Sequence, residues 1–379
     1  MAAAASLHEL PPLTTLQVAP ADDGALCAAE SLVAAYRYAE ACDALEELWP
    51  EVRHDAALAL RQRLALAWSK MYVGELEEAA QLLSHAEAIA GQARFDAADR
   101  AEVFFRQGCV ALQQGRYSDA GAMLTRALET NERAPRRRDG LAARAHEWRS
   151  RCFLVQHDAD AARRDVELAL ELATRAGDAE AQAHALFQAS IVAERQEQWL
   201  LARCYAEQAL DLYGRLQNHL AEARVLNNLG GIAFLLGETE SAEATLLAAI
   251  ERADHAGSEA DFAQAVNSLA QVYLRSGRPV EARARAQRAI ELLAGRDDFL
   301  DELGNAQLVV ATALQAEGDP LNAASWLAIA EQTFLRFGST GHVARAWVAQ
   351  GDLSRTQGDV DRAADLYRQA AVALQDVHF

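Results

Sequence analysis

An all-α solenoid of about nine antiparallel helix hairpins is the fold this sequence predicts. Three observations predict it: a helix-favouring composition, one residue frame recurring at a near-constant period, and three-and-four apolar spacing on both sides of each frame centre. Alanine and leucine dominate, proline occurs only 7 times in 379 residues, and 24% of residues are charged. That balance suits helices and disfavours sheet or disorder. The frame centres are positions 74, 115, 157, 197, 237, 277, 318 and 358, separated by 40 to 42 residues. Regular self-similarity at such a period is the signature of a repeat array, in which each unit buries its apolar face only against its neighbours.

A small residue stands seven before, five after and twelve after every centre. Around Gly237 these are Gly230, Ala242 and Ala249; around Gly115 they are Gly108, Ala120 and Ala127; around Gly358 they are Gly351, Ala363 and Ala370. Before Gly237, Leu226, Leu229, Ile232 and Ala233 follow helical spacing, and Ala242, Leu246, Ala249 and Ile250 follow it afterwards. Each unit is therefore a helix, a turn and a second helix. The small slots have a steric reason, since a bulkier side chain at a helix crossing would push the axes beyond ordinary packing distance. Gly177, Gly257 and Gly338, each twenty residues past a centre, are placed to stop the second helix in a left-handed C-cap. The segment "AYRYAEACDALEEL" fits the second half of the frame with Ala41 in the small slot. The expected organisation is a flexible tail over 1–21, a degenerate first repeat over 22–59 and eight clearer repeats over 60–379.

Several functions are disfavoured. A net charge of -19 at pH 7 would repel a phosphate backbone, so no direct nucleic-acid contact is expected, whereas a basic or mixed-charge peptide is compatible. Cys27, Cys42, Cys109, Cys152 and Cys204 are odd in number and never spaced as a pair of metal ligands. Neither disulfides nor zinc is supported, and a reducing cytoplasm is the expected location. The first 20 residues lack the basic start and apolar core of a secretory signal. No stretch approaches the ~18 apolar residues of a membrane span, so no membrane association is expected. No nucleotide loop, nucleophile elbow or metallopeptidase pattern occurs, no cofactor is implied, and an enzyme is not expected. His146-Glu147 and His157-Asp158 are helix neighbours that point apart and cannot share a ligand. The basic run "ERAPRRRD" over 132–139 reads as a solvated loop between repeats.

A small residue at place 8, glycine at 15 and alanine at 20 and 27 resembles the tetratricopeptide repeat, strongly over residues 60–379 and weakly over 22–59. The period of about forty exceeds the usual ~34. It resembles the variant in sensor domains of bacterial peptide-pheromone receptors and maltose-type activators, to which "ARVLNNLGGIAFLLGE" is especially similar. Replacement of the turn glycine at His157 and Glu197 departs from the pattern and marks an expected bend. The resemblance implies a right-handed superhelix with a concave groove lined by the first helix of each hairpin. Its inward places project onto Arg151, then Phe187 and Ile191, then Arg224, Asn227, Asn228, Gly231 and Phe234, then Gln264, Asn267, Gln271 and Arg275. Asn305, Leu308, Thr312, Gln315, Arg345 and Val348 continue the projection.

Asparagine is a poor helix former, so Asn227, Asn267 and Asn305 inside helices need another reason. A carboxamide both donates and accepts, and can hold the N–H and C=O of an extended peptide whatever its side chains. Alternatively, these amides bond neighbouring helices or face water. Arg224 and Arg275 are placed to hold a carboxylate, and Gly231 to clear space in the groove. At the C-terminal end, Leu366, Val372, Leu374 and Phe379 either pack against another copy, giving a homodimer through an uncapped hairpin, or fold onto the preceding hairpin. The expected function is a non-enzymatic module binding a peptide or protein segment in bacterial regulation. The alternatives are a ligand-sensing component of a transcription regulator without its own helix-turn-helix, and a structural scaffold for complex assembly.

Overall fold

The computed structural model describes residues 23–296 and 299–375; the expected flexible tail and Phe379 lie outside them. Among the described residues there are nineteen helices and no strand. The chain divides between Arg137 and Arg138 into two compact units. The first contains α1 (Asp23–Ala34), α2 (Tyr38–Glu47), the single turn α3 (Trp49–Val52), α4 (Ala56–Tyr72), α5 (Leu76–Ala90), α6 (Ala97–Gln113) and α7 (Tyr117–Glu132). The second opens with α8 (Asp139–Val155), α9 (Ala159–Ala176), α10 (Ala179–Arg195), α11 (Trp199–Arg215), α12 (His219–Leu235) and α13 (Thr239–His255). It closes with α14 (Glu259–Arg275), α15 (Pro279–Leu293), α16 (Leu300–Ala316), α17 (Pro320–Phe337), α18 (Thr340–Thr356) and α19 (Val360–Gln375). The division falls in the basic run, between the end of α7 and the start of α8.

Within each unit consecutive helices pair into hairpins, and in the second unit first helices also meet one another: α8 meets α10, α12 meets α14, α14 meets α16 and α16 meets α18. The small residues of the frame sit where the two helices of a hairpin cross. Ala120, Ala162, Ala202, Ala242, Ala282 and Ala323 are wholly buried. Gly230 is tighter still: a Cβ built on it would lie 2.5 Å from Cγ of Leu246 on α13. Gly108 stands in the same relation to Leu124 on α7, at 2.7 Å. Glycine here serves volume, since both residues have ordinary helical backbone. Gly231, one residue on, has nothing within 4 Å of its added Cβ.

Every hairpin turn uses one device. A residue with positive φ precedes an amide that bonds the carbonyl five residues back, as Glu238 N does to Ala233 O at 2.9 Å after Gly237 (φ 81). The turns at positions 157 and 197 keep this geometry without glycine: His157 (φ 60) and Glu197 (φ 58) are left-handed, and Asp158 N and Gln198 N close the same bond, each at 2.9 Å. The packed frame imposes the turn on side chains that disfavour it. Tyr36 (φ 60) does the same in the first hairpin, with Arg37 N bonded to Leu32 O, and with Ala29 and Ala41 buried in the small slots. Several second-unit helices begin on a side-chain cap, among them Asp158, Asp178, Asn218 and Ser258.

One hairpin carries a buried charge cluster. Asp165 on α9 accepts from Arg149 at 2.7 Å and meets His146 Nδ1 at 2.8 Å, with 5% of its side chain exposed. Burial opposes ionisation, but the bonds from Arg149 and His146 hold the carboxyl below its usual range. His146 is thus spent on packing α8 to α9.

Two stability outcomes follow from steric fit. Gly230→Ala destabilises by about 1–3 kcal/mol through overpacking against Leu246, whereas Gly231→Ala stabilises by about 0.5–1 kcal/mol through helix propensity; urea unfolding of the two variants checks the contrast. His157→Gly and Glu197→Gly each raise stability by about 1 kcal/mol, because they relieve a left-handed L-residue; a fall in melting temperature for both would contradict this account of the turns.

Candidate functional site

The candidate site is the face presented by the first helices of the second unit. It includes a recess of about 190 Å3 lined by Gln271, Leu274 and Arg275 of α14, Asn305, Leu308, Val309 and Thr312 of α16, and Arg345 and Ala349 of α18. Six of these, Gln271, Arg275, Asn305, Leu308, Thr312 and Arg345, stand at projected inward places. Arg275 also reaches back to α12, its guanidinium carbon 5.7 Å from the centroid of the Phe234 ring. A larger hollow of about 610 Å3 shares Thr312 and runs on past Gln315, Asp352 and Thr356.

Asn227 and Asn267 stand one period apart, ten residues before their turn centres, on α12 and α14. Asn267 is 5% exposed, and the Oδ1 of each is buried without a hydrogen-bond partner. The same place in other first helices holds Phe187, Leu308 or Val348, so the frame itself does not require an amide. Orphaned carboxamide atoms also occur at Gln188 Nε2 and Gln307 Oε1, on α10 and α16.

Asn305 has a directed amide. Its Nδ2 donates to Asp301 Oδ1 at 2.6 Å, while its own Oδ1 is buried without a partner. A carboxylate only accepts, so this orientation of the amide is chemically forced. Asp301 Oδ1 also accepts from His342 Nε2 at 2.9 Å, and Ser339 Oγ lies 2.7 Å from His342 Nδ1. The ring is held beside Phe334 and Phe337, with centroids 5.2 and 5.5 Å away. Ser339 is the N-cap of α18 and His342 is three residues on, so the Ser–His contact is a local helix-start pair. The chain of contacts ties α18 to α16 and fixes Asn305.

Other projected residues are already engaged. Arg224 is not placed to hold a ligand carboxylate: its Nε and Nη2 grip Asp261 of α14 at 2.8 and 3.1 Å. Arg151 is likewise taken, donating from Nε and Nη2 to buried Glu147 at 2.9 and 2.6 Å and lying over the Trp148 ring. Asn228 bonds neighbouring residues of α10, with Nδ2 donating to Glu194 at 2.6 Å and Ser190 Oγ donating to Oδ1 at 3.1 Å. Here the alternative reading of the asparagines holds. Phe187 packs with Leu186 and Tyr213, Ile191 is half-buried, Gln264 is exposed, and Gly231 leaves open space on its face. At the other end of the unit Leu366 is buried, while Val372 and Leu374 are exposed. Sequence reasoning did not pick out Asp301, His342, Glu194 or Asp261, the residues that position or occupy the amides and arginines. Their signal was a complementary partner about one period away. Among the described residues no group of three potential ligands could hold a metal ion, and no helix is long and apolar enough to cross a membrane.

Stacked hairpins with a shared frame and a first-helix face define a helical-repeat protein. Tetratricopeptide repeat models match residues 105–193 and 221–294, so these two stretches carry tetratricopeptide repeats. None of the curated proteins matches it in sequence. Solved structures resemble it in fold. A Rap protein complexed with competence and sporulation factor has a TM-score of 0.68 at 16% identity, over 93% of this chain and 97% of its own. The apo quorum sensor NprR from B. thuringiensis gives 0.66 at 14% identity, over 93% of this chain and 98% of its own. NprR in complex with its cognate peptide NprX gives 0.59 at 13%, over 93% and 98%. Aspartyl phosphate phosphatase F from Bacillus subtilis gives 0.58 at 13%, over 96% of each chain.

The burial of Asn267 yields a test of its role. Asn267→Leu removes a buried acceptor with no partner and substitutes the side chain that α16 carries at the same place, so the free protein gains about 1 kcal/mol. Thermal unfolding measures this, and a loss of stability would mean that the amide serves packing.

Proposed function

We propose that this protein is a non-enzymatic regulatory module that binds an extended peptide or protein segment on the first-helix face of its second unit. The observation that carries the reading is the pair Asn227 and Asn267, buried acceptors without partners, repeated on adjacent first helices. A buried carbonyl oxygen without a donor costs about 1–3 kcal/mol. Such a cost at two equivalent places is consistent with donors supplied from outside. An extended backbone supplies N–H groups at regular intervals, independent of its side chains. The fold supports the reading too, since structures similar to this chain include a Rap protein with competence and sporulation factor and NprR with its cognate peptide NprX. Phe234, Leu274 and Leu308 offer apolar surface beside the amides, so side chains would add selectivity to a backbone grip.

The binding arrangement makes activity and stability move in opposite directions. Peptides retained by the immobilised protein from cell extract and spent medium, identified by mass spectrometry, provide the ligand. Asn227→Ala/Asn267→Ala weakens binding of that peptide at least tenfold, about 1.4 kcal/mol, while its melting temperature stays equal or rises. Equal affinity of wild type and double variant in calorimetry would refute the proposed function.

A further inference from the structure

The turn edge of the second unit carries a feature that the first-helix face does not explain. Leu200, Val280, Leu321 and Val360 are the most exposed large hydrophobic residues among those described, at 71, 57, 81 and 66%. Each stands two or three residues past a frame centre, in the first turn of a second helix. Packing does not call for an apolar residue there, since the same place holds Asp160 in α9 and Glu240 in α13, both exposed. Single exposed aliphatic residues are ordinary on a protein surface, but several in register mark a place of contact. We infer that the row Val280, Leu321 and Val360 is a docking surface for a basic amphipathic helix of a partner protein, separate from the peptide-binding face.

The pitch of the row suits a helix. The first helices α14, α16 and α18 pack on one another, so these hairpins follow at about 8–10 Å. Their turns lie side by side: Arg283 of α15 donates to Glu317 beside the next turn at 3.0 Å, and Gln315 donates to Thr356 beside the one after at 3.4 Å. Seven residues of α-helix rise about 10.5 Å. A helix laid along the edge therefore brings one place of each heptad to each hairpin. Between Leu321 and Val360 a hollow of about 610 Å3 is lined by Gly318 and Pro320 of one turn and Thr356 and Gln357 of the next, which gives an anchor side chain room.

Charge selects the partner. Asp319, Asp359 and Asp361 flank the row, while Arg278 and Arg283 are already bonded to Glu281 and Glu317. Even with Arg362 counted, carboxylates are in excess along this edge, in a chain of net charge -19, so the complementary helix is basic. A second copy of the chain would bring carboxylates against carboxylates. A polyproline segment repeats at about 9 Å, close to the same pitch, but it docks on aromatic grooves. Residues 279–283, 320–324 and 359–363 contain no aromatic side chain.

The test uses the full-length protein and three fluorescein-labelled peptides of three heptads each, read by anisotropy. The first is an alanine–lysine helix with leucine at the first and fifth places of every heptad; the second has the same composition shuffled around the helix; the third has glutamate in place of lysine. The first binds wild type at least tenfold tighter than either control, and its affinity falls as salt is raised. Val280→Ser/Leu321→Ser/Val360→Ser weakens it at least tenfold; all three side chains are exposed, so the melting temperature does not fall. Val372→Ser, at an exposed apolar residue away from the turns, leaves the affinity unchanged. Asn227→Ala/Asn267→Ala also leaves it unchanged, so failure here and failure of the peptide-binding reading are separate results. Equal binding of the first and shuffled peptides, binding of none of the three, or an affinity that survives the triple substitution overturns the docking surface. Self-association in sedimentation that the triple substitution abolishes would make a second copy the occupant and overturn it as well.

Discussion

The close approach of two helices at each hairpin crossing is the constraint on which the structure depends. The backbones meet over alanine, glycine or serine, and at Gly230 and Gly108 even a Cβ would displace a partner, Leu246 or Leu124. Because each crossing is fixed, the turn between the helices is fixed as well, and the same left-handed residue and backward hydrogen bond recur whether glycine is available or not. Neighbouring hairpins then stack mainly by the second helix of one against the first helix of the next, and stability builds from nearest-neighbour terms. Everything on the first-helix face is a consequence of that spacing. Side chains forty residues apart in sequence come into hydrogen-bonding reach because the crossing sets the rise from one hairpin to the next.

The frame was legible because it is written in volume. A slot that excludes all but the smallest side chains leaves the same trace in every repeat, and even the degenerate unit around Tyr36 shows it. At His157 and Glu197 local propensity points one way and the packed hairpin the other, and tertiary packing prevails. The face was only partly legible. Its places could be projected, and Gln271, Arg275 and Asn305 do line one recess, but which of the polar groups are already satisfied depends on partners in the next hairpin. Arg224 and Asp261 are 37 residues apart, and Asn228 and Glu194 are 34 apart. A search for complementary pairs near one period would have separated them from Asn227 and Asn267, for which no such partner stands in place.

The asparagines illustrate how a repeat divides its work. Gly230 and Ala242 belong to the frame and answer to sterics, while Asn227 and Asn267 stand on it and answer to something else. Substituting an apolar residue at Asn267 would satisfy every packing rule the repeat obeys, as Leu308 does one hairpin later. An amide that packing does not call for, placed where its oxygen has no donor, is a local conflict between foldability and site chemistry. Such conflicts concentrate where a protein meets its ligand.

The left-handed residues that are not glycine have a dynamic consequence. His157, Glu197 and Gln217 (φ 55) all fall in the stretch from α8 to α12, so three of its four reversals, all but the one at Gly177, hold strained backbone. In an array governed by neighbour contacts, strain of about 1–2 kcal/mol per residue is felt locally. It lowers the free energy of opening the hairpin α10–α11 relative to hairpins closed by glycine. The array therefore has a built-in soft segment, the first to exchange its amide protons when the chain loosens, and it adjoins Asn227 on one side.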